Sequence, residues 1–186
     1  MSATAVDTTT QLPVGTWKLD PTHSSASFAV KHMVVATFRG RFEDLDATLA
    51  VGEDGTAQLS GSVRAGSIVV KDENLQAHLG APDFFDTERY PELRFVSSSI
   101  RRDGEQLVVE GDLTIKDQTH PVEARGTITE PHETLGGAIK IGVTLETIID
   151  RTQFGLIWNA PLPKGGFAVA DEVKLTVELE LAQDGE

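Results

Sequence analysis

A strict alternation of apolar and polar residues dominates the C-terminal part of this chain. Over residues 173–181 every second side chain is valine or leucine, and those between are mostly charged. The same period of two recurs over residues 107–115 and 139–145. Successive side chains of a β-strand point to opposite faces, so each segment would have one face on a core and one in water. The pattern predicts an all-β fold.

Turn signals separate the alternating segments and predict how the strands connect. Glu53-Asp-Gly55, Arg102-Asp-Gly104 and Lys116-Asp117 stand between consecutive segments, which is typical of antiparallel meanders. Weaker alternation occurs around residues 17–19, 26–32, 45–51, 57–63, 93–99 and 122–128. We expect an antiparallel barrel of about eight strands, with a sandwich as the alternative architecture.

Residues 75–91 interrupt the strand pattern. Leu75 and Leu79 lie one helical turn apart, and Gly80 followed by Pro82 is a helix stop. Large aromatic side chains follow in a segment that is too polar for a core strand: Phe84, Phe85 and Tyr90. We therefore predict one short helix and then an aromatic loop that covers the mouth of the barrel.

A second irregular segment, residues 150–166, is also unusually apolar. Phe154, Leu156 and Trp158 stand among glycines and prolines. Two interpretations remain open for both aromatic loops. They either plug the barrel end and complete the core, or form the movable rim of an apolar cavity.

The composition limits the classes of function. The 186 residues include no cysteine, which excludes disulfides, cysteine nucleophiles and cysteine-ligated metal centres. There are 16 basic and 29 acidic side chains, for a net charge of -13. An acidic surface repels phosphate backbones and anionic lipid headgroups, so we expect no nucleic-acid partner.

The chain length and its N-terminus predict one domain. Residues 1–13 are interpreted as a disordered lead-in, and residues 14–183 as a single β-barrel domain. The N-terminus has no basic and apolar signal-peptide pattern, so we expect a cytoplasmic protein. No apolar run approaches the roughly 20 residues that a membrane-spanning helix needs, so no stable membrane insertion is expected.

The order and spacing of several motifs resemble the YceI-like family of polyisoprenoid-binding, lipocalin-like barrels. The resemblance runs from Trp17 to about Leu181. It includes Trp17-Lys-Leu-Asp-Pro-Thr-His-Ser24, Phe28-Ala-Val-Lys-His32, Phe38-Arg-Gly-Arg-Phe42, Asp83-Phe-Phe-Asp86 and Arg151-Thr-Gln-Phe-Gly155. This resemblance implies a lipocalin-like antiparallel barrel whose internal tunnel takes an isoprenoid tail, often that of a quinone, and it implies no enzymatic activity.

Alternation and the resemblance together predict an apolar ligand site. The expected lining is Phe28, Val30, Leu113, Val143 and Leu145, with Phe42 and Phe95 as further contacts. The expected entrance is formed by Leu79, Phe84, Phe85, Phe154 and Trp158. The ligand would be a polyprenol or an isoprenoid quinone tail, with no cofactor and no metal.

Two polar residues are further candidates, each with two interpretations. His32 shares the alternation of Ala26, Phe28 and Val30, so it is predicted to point inward. There it would either donate to a ligand headgroup or bond to a backbone carbonyl as a core histidine. Arg151 would either clamp an acidic headgroup or pair with one of the many carboxylates.

No motif favours catalysis. The chain has no G-x-S-x-G nucleophile elbow and no phosphate-binding glycine loop, so we expect no enzyme. The leading hypothesis is a carrier that sequesters an apolar isoprenoid-type lipid. The alternative is a structural or stress-related barrel with a filled core, acting through its surface or as a homodimer. An enzyme that uses His32 and Arg151 ranks third.

Overall fold

The computed structural model describes residues 11–185, so the predicted lead-in lies mostly outside the described residues. One α-helix, α1, spans Glu73–Gly80, and short 3-10 helices span Pro21–His23, Ala65–Ser67 and Arg151–Phe154. The strands are β1 Gly15–Leu19, β2 Ser25–His32, β3 Ala36–Phe42, β4 Leu45–Val51, β5 Ala57–Arg64, β6 Ile68–Val69, β7 Glu92–Asp103, β8 Gln106–Ile115, β9 Gln118–Ile128, β10 His132–Glu133, β11 Ile139–Asp150 and β12 Val169–Gln183.

These strands close into an antiparallel eight-stranded barrel. The first barrel strand is β1 and β2 together, broken by a 3-10 helix, and it pairs with β12 on one side and with β4 and β3 on the other. The sheet continues through β5, β7, β8, β9 and β11. The β11–β12 ladder closes the barrel and runs from Lys140 opposite Ala182 to Asp150 opposite Glu172. The predicted barrel is confirmed.

The predicted turns lie between consecutive strands. Gly55 follows β4, and Gly104 lies between β7 and β8, each with a positive φ that suits glycine. Lys116, between β8 and β9, also has a positive φ. The turn signals of the sequence therefore fixed the connections of the meander.

One end of the barrel is packed solid, and we call it the filled end. Trp17 is 1% exposed, and its indole nitrogen donates to the carbonyl of Pro13 at 3.0 Å. The surrounding large side chains are also buried: Leu49, Leu107, Val109, Ile128, Ile141 and Leu181. No ligand reaches this end without displacing core side chains.

The opposite end, which we call the helix end, is covered by α1 and the two irregular segments. The carboxylate of Asp72 caps the N-terminus of α1, where it accepts a hydrogen bond from the backbone nitrogen of Leu75. Leu79 and Phe84 are buried with Phe42 in one apolar cluster. The predicted short helix and the aromatic loops at the barrel end are confirmed. No helix within residues 11–185 is long and apolar enough to cross a membrane.

Among the described glycines, Gly126 in β9 is the one where an added Cβ would meet backbone at the shortest distance. A Cβ there would lie 1.7 Å from the backbone oxygen of Thr144 on β11. Gly126→Ala should therefore separate β9 from β11 and lower the free energy of unfolding by about 3 kcal/mol, measured by urea denaturation. Gly136→Ala is the matched control, because a Cβ at Gly136 meets nothing within 4 Å. Equal stability of the two variants would contradict this packing.

Candidate ligand cavity

The middle of the barrel is hollow because small residues occupy its inward positions. Ala47 on β4 stands opposite Gly61 on β5, and Ala26 and Ala124 lie on β2 and β9. All four line an internal cavity of about 180 Å³. Apolar cavities of about 150 Å³ stay dry and take up small apolar molecules.

The cavity wall is almost entirely apolar. Its floor, toward the filled end, is made of Leu59, Leu145 and Leu179. Phe95 and Val177 point inward and yet are only half-buried, because they border empty space. Other lining side chains are Phe42, Leu45, Val63, Leu93, Leu113, Val122 and Leu175.

The interior offers no polar partner for a ligand headgroup. The hydroxyl of Thr147, at the cavity wall, donates to the backbone oxygen of Glu123 at 2.8 Å. Within residues 11–185, every buried polar side-chain atom has a hydrogen-bond partner. The cavity can therefore select a ligand only by its shape and its apolar surface.

Four phenylalanines separate the cavity from the helix end, and we call them the aromatic cover: Phe28, Phe38, Phe42 and Phe85. The ring of Phe28 lies 6.0 Å from Phe38 and 6.1 Å from Phe42, centroid to centroid. Phe85 meets Phe42 edge-on at 5.8 Å. Gly40 makes room for Phe28, since a Cβ there would lie 2.5 Å from the ring.

A histidine outside the cover joins α1 to both irregular loops. The ring of His78 packs edge-on against Phe84 at 4.9 Å and against Trp158 at 5.2 Å. Its Nε2 lies 3.0 Å from Oδ2 of Asp83. The hydrogen bond from His78 is the main cause that lowers the pKa of Asp83. We call these four residues the outer latch.

Lys116 holds the two loops together from the β8–β9 turn. Its Nζ donates to the backbone oxygen of Pro82 at 3.2 Å and of Gly155 at 3.4 Å. The helix end is thus closed by side-chain contacts between loops, whereas the barrel wall is closed by strand ladders. The loop contacts are the weaker of the two closures.

The sequence matches the YceI-like domain over residues 17–181. A UPF0312 protein of Staphylococcus aureus strain USA300 is 30% identical over 169 residues, which cover 88% of this chain and 95% of the relative. The corresponding protein of strain MSSA476 is 31% identical over the same coverage. This chain belongs to the YceI-like family.

Solved structures share the fold of this YceI-like chain. Burkholderia cenocepacia BcnA superimposes with a TM-score of 0.74 at 24% identity, over 87% of this chain and 98% of that one. A polyisoprenoid-binding domain from Saccharophagus degradans, implicated in plant cell wall breakdown, gives 0.66 at 12% identity, over 90% and 98%. The Campylobacter jejuni YceI protein gives 0.68 at 21% identity over both whole chains.

The residues predicted for the ligand site fall into distinct layers of this YceI-like barrel. Cavity lining residues are Phe42, Phe95, Leu113 and Leu145. Phe28, Val30 and Phe85 lie above the cavity, and Leu79, Phe84, Phe154 and Trp158 pack at the helix end. Phe28 and Val30 were predicted as lining, but they lie in the layer above the cavity with the predicted entrance residue Phe85.

Val143 and His32, which were also predicted for the ligand site, lie away from the cavity. Val143 is 1% exposed within the packed cluster of the filled end, because it lies on β11 beyond the floor residue Leu145. His32 is exposed, so its predicted place in the apolar interior is wrong. It is the last residue of β2, where the β2–β3 hairpin projects past the barrel rim and the inward face no longer meets a core.

The guanidinium of Arg151 binds backbone carbonyl groups of the protein, and not the ligand headgroup that was one of its two predicted partners. The guanidinium is 4% exposed and donates to the carbonyl oxygens of Ala170 at 2.8 Å and Trp158 at 3.0 Å. Further acceptors are the carbonyls of Leu156 and Val169 and the carboxylate of Asp171. Burial lowers the pKa of Arg151. Arg151 fixes the loop that carries Trp158.

The histidines of the chain do not converge. His23 lies 3.0 Å from Asp20, and His120 bonds to the backbone oxygen of Gln153. Asp20, His23 and Glu180 do cluster, but the ammonium of Lys140 lies 2.7 Å from Asp20 and 2.6 Å from Glu180. A lysine already supplies the positive charge there, and it lowers the pKa of Asp20.

The sequence analysis did not identify the small residues that line the cavity, nor the role of His78. The signal for the first was present, since Ala26, Ala47, Gly61 and Ala124 occupy inward positions of otherwise large-residue strands. His78 gave no comparable signal, because its partners come from loops whose path the sequence does not define.

The contacts of Arg151 predict a structural role that stability measurements can detect. Arg151→Lys replaces a planar, five-donor fork by one ammonium and leaves loop carbonyls unpaired. We expect the free energy of unfolding to fall by about 2 kcal/mol. Arg39→Lys on the exposed strand face should change it by less than about 0.5 kcal/mol. Unchanged stability of Arg151→Lys would restore the headgroup interpretation.

The outer latch predicts a pH dependence. The pKa of Asp83 is lower in the folded protein than in the unfolded chain. The ionised Asp83 therefore stabilises the fold fully above the ordinary aspartate pKa of about 3.9, and this stabilisation is lost as the pH falls through the folded-state pKa. The melting temperature of the native protein should therefore be higher than that of the Asp83→Asn variant at neutral pH, and this difference should vanish in acid. Asp117→Asn is the control. A difference that persists at the lowest pH would contradict the assignment.

Proposed function

We propose that this protein is a carrier that sequesters an apolar isoprenoid-type lipid in the barrel interior. The observation that carries the proposal is the cavity between Ala26, Ala47, Gly61 and Ala124, whose wall is apolar. A hollow core forfeits packing energy, because a void deprives its lining of contacts. An apolar ligand would restore those contacts.

Burial alone supplies the affinity in this proposal. Each methylene group moved from water into an apolar site contributes about 0.8 kcal/mol. An isoprene unit has two methylene groups and one methyl group, so each unit buried in the barrel interior offsets part of the cost of association. No charged contact is required, which agrees with the role of Arg151 as a loop support.

The cavity of about 180 Å³ accommodates a short part of an isoprenoid chain. The filled end closes the floor, so a longer tail would extend toward the helix end and displace the aromatic cover. Phe28 and Phe85 are only partly buried there and are held by side-chain contacts. Opening would therefore move α1 and the two loops and leave the strand ladders intact.

A polyisoprenoid-binding domain shares this fold, which supports the same ligand class. The proposal includes a polyprenol or quinone as the source of the tail. It also includes the absence of catalysis and of a cofactor, and a cytoplasmic site of action. It follows that the headgroup lies outside the cavity, because no free polar group within the described interior receives it.

Binding of defined isoprenoid alcohols tests this function. Val177 lies on β12 opposite Ala26 at the cavity wall. Val177→Phe should fill the cavity and weaken the binding of farnesol and geranylgeraniol by at least about tenfold, since a few buried methylene groups are lost. Binding is measured by displacement of a fluorescent apolar probe and by native mass spectrometry.

Ile148→Phe is the matched control for this substitution. Ile148 lies on β11 and is 65% exposed, so the added ring stays outside the barrel. It should bind both alcohols within about twofold of the unaltered protein, well under 1 kcal/mol. Absence of binding by the unaltered protein, or equal binding by Val177→Phe and Ile148→Phe, would overturn the proposal and favour a structural barrel acting through its surface.

A further inference from the structure

An exposed apolar surface lies at the helix end, outside the aromatic cover. The turn between β2 and β3 exposes Met33 by 41%, Val34 by 67% and Val35 by 86%. Phe167, 61% exposed, belongs to the adjacent loop. The two segments touch, since the backbone nitrogen of Met33 donates to the oxygen of Ala168 at 2.7 Å. We call Met33, Val34, Val35 and Phe167 the apolar tip.

The backbone of the apolar tip is one that its residues do not favour. Met33 has φ 51° and Val34 has φ 66°. Left-handed conformations suit glycine and asparagine, and a β-branched residue there is a marked outlier. Neither side chain is buried in the core, so packing inside the barrel does not explain the choice of valine.

The charge around the apolar tip differs from that of the rest of the molecule. Residues 30–40 and 155–170 contain Lys31, Arg39 and Lys164 and no acidic residue, in a chain of 16 basic and 29 acidic side chains. All three are exposed. The nearest acidic residue along the chain, Asp171, is 3.4 Å from Arg151. These two segments are therefore basic although the net charge is -13.

We propose that the apolar tip docks onto the surface of an anionic lipid bilayer and places the cavity mouth against it. Exposed valine, methionine and phenylalanine enter the headgroup region, and Lys31, Arg39 and Lys164 face the anionic headgroups. This docking rests on the proposed carrier function, since it gives an apolar ligand a path that avoids water.

A bilayer fits this surface better than a second copy of the chain does. In a symmetric dimer through the apolar tip, Lys31, Arg39 and Lys164 of one copy would face the same residues of the other. Such like-charge contact opposes association. A projecting hairpin turn also offers a narrow convex surface, which suits insertion into headgroups more than a flat protein interface.

Vesicle flotation tests the docking without any bound ligand. The unaltered protein should float with vesicles of phosphatidylcholine and phosphatidylglycerol, and much less with phosphatidylcholine alone. Val34→Asn with Val35→Ser should abolish flotation and leave the melting temperature equal or higher, because asparagine tolerates the positive φ of position 34. Lys31→Gln with Lys164→Gln should weaken binding about fivefold for each lysine removed.

Leu135→Ser is the matched control, since Leu135 is fully exposed in the β10–β11 turn at the opposite end. It should float like the unaltered protein. Flotation that is absent, or is unchanged by the Val34 and Val35 substitutions, would overturn the docking. A dimer in analytical ultracentrifugation that these substitutions convert to monomer, without vesicle binding, would also overturn it and assign the tip to a second copy.

The two proposals fail separately in these experiments. Farnesol binding without vesicles should survive the Val34 and Val35 substitutions, because the apolar tip lies outside the cavity lining. Intact farnesol binding with no flotation refutes the docking alone. Flotation by a protein that binds no farnesol refutes the carrier function and leaves a membrane-docking barrel, without the path for a ligand that the docking proposal requires.

Discussion

The interior of an eight-stranded antiparallel barrel is only about wide enough to be filled by its own side chains, so the size of each inward residue determines where space remains. Large residues such as Trp17 and Leu107 fill one end of this barrel. Alanine and glycine at Ala26, Ala47, Gly61 and Ala124 leave the middle hollow. The same wall thus gives a rigid base and an apolar chamber, and the proposed ligand class and direction of entry rest on that division.

Closure at the helix end has a different physical basis from closure of the wall. The wall depends on continuous backbone ladders, of which β11–β12 is the longest. The cover and the outer latch depend on aromatic edges, one histidine–aspartate contact and the two hydrogen bonds of Lys116. Interactions of this kind contribute little individually, so this end can open while the barrel persists. The apolar tip lies at the same end, outside the cover.

The alternation of apolar and polar residues predicted the fold well. It predicted site residues correctly only within the strands that enclose the core. This alternation and the turn residues predicted the strands, the hairpins and the inward position of Leu113 and Leu145. His32 failed because the alternation continues for one residue beyond the core that gives it meaning. For Arg151 the predicted carboxylate pair is present with Asp171, but its main partners are loop carbonyls, which carry no sequence signature. Whether the barrel is hollow depends on volumes summed across several strands.

Native mass spectrometry of freshly purified protein, followed by organic extraction and analysis of any bound compound, tests the central claim most directly. The account predicts an apolar adduct at one molecule per chain, whose fragments show the repeating mass of isoprene units and whose release leaves the protein folded. A spectrum of the bare chain that stays unchanged after incubation with long-chain quinones and polyprenols would contradict it. The barrel would then be a structural element whose cavity has no role in binding.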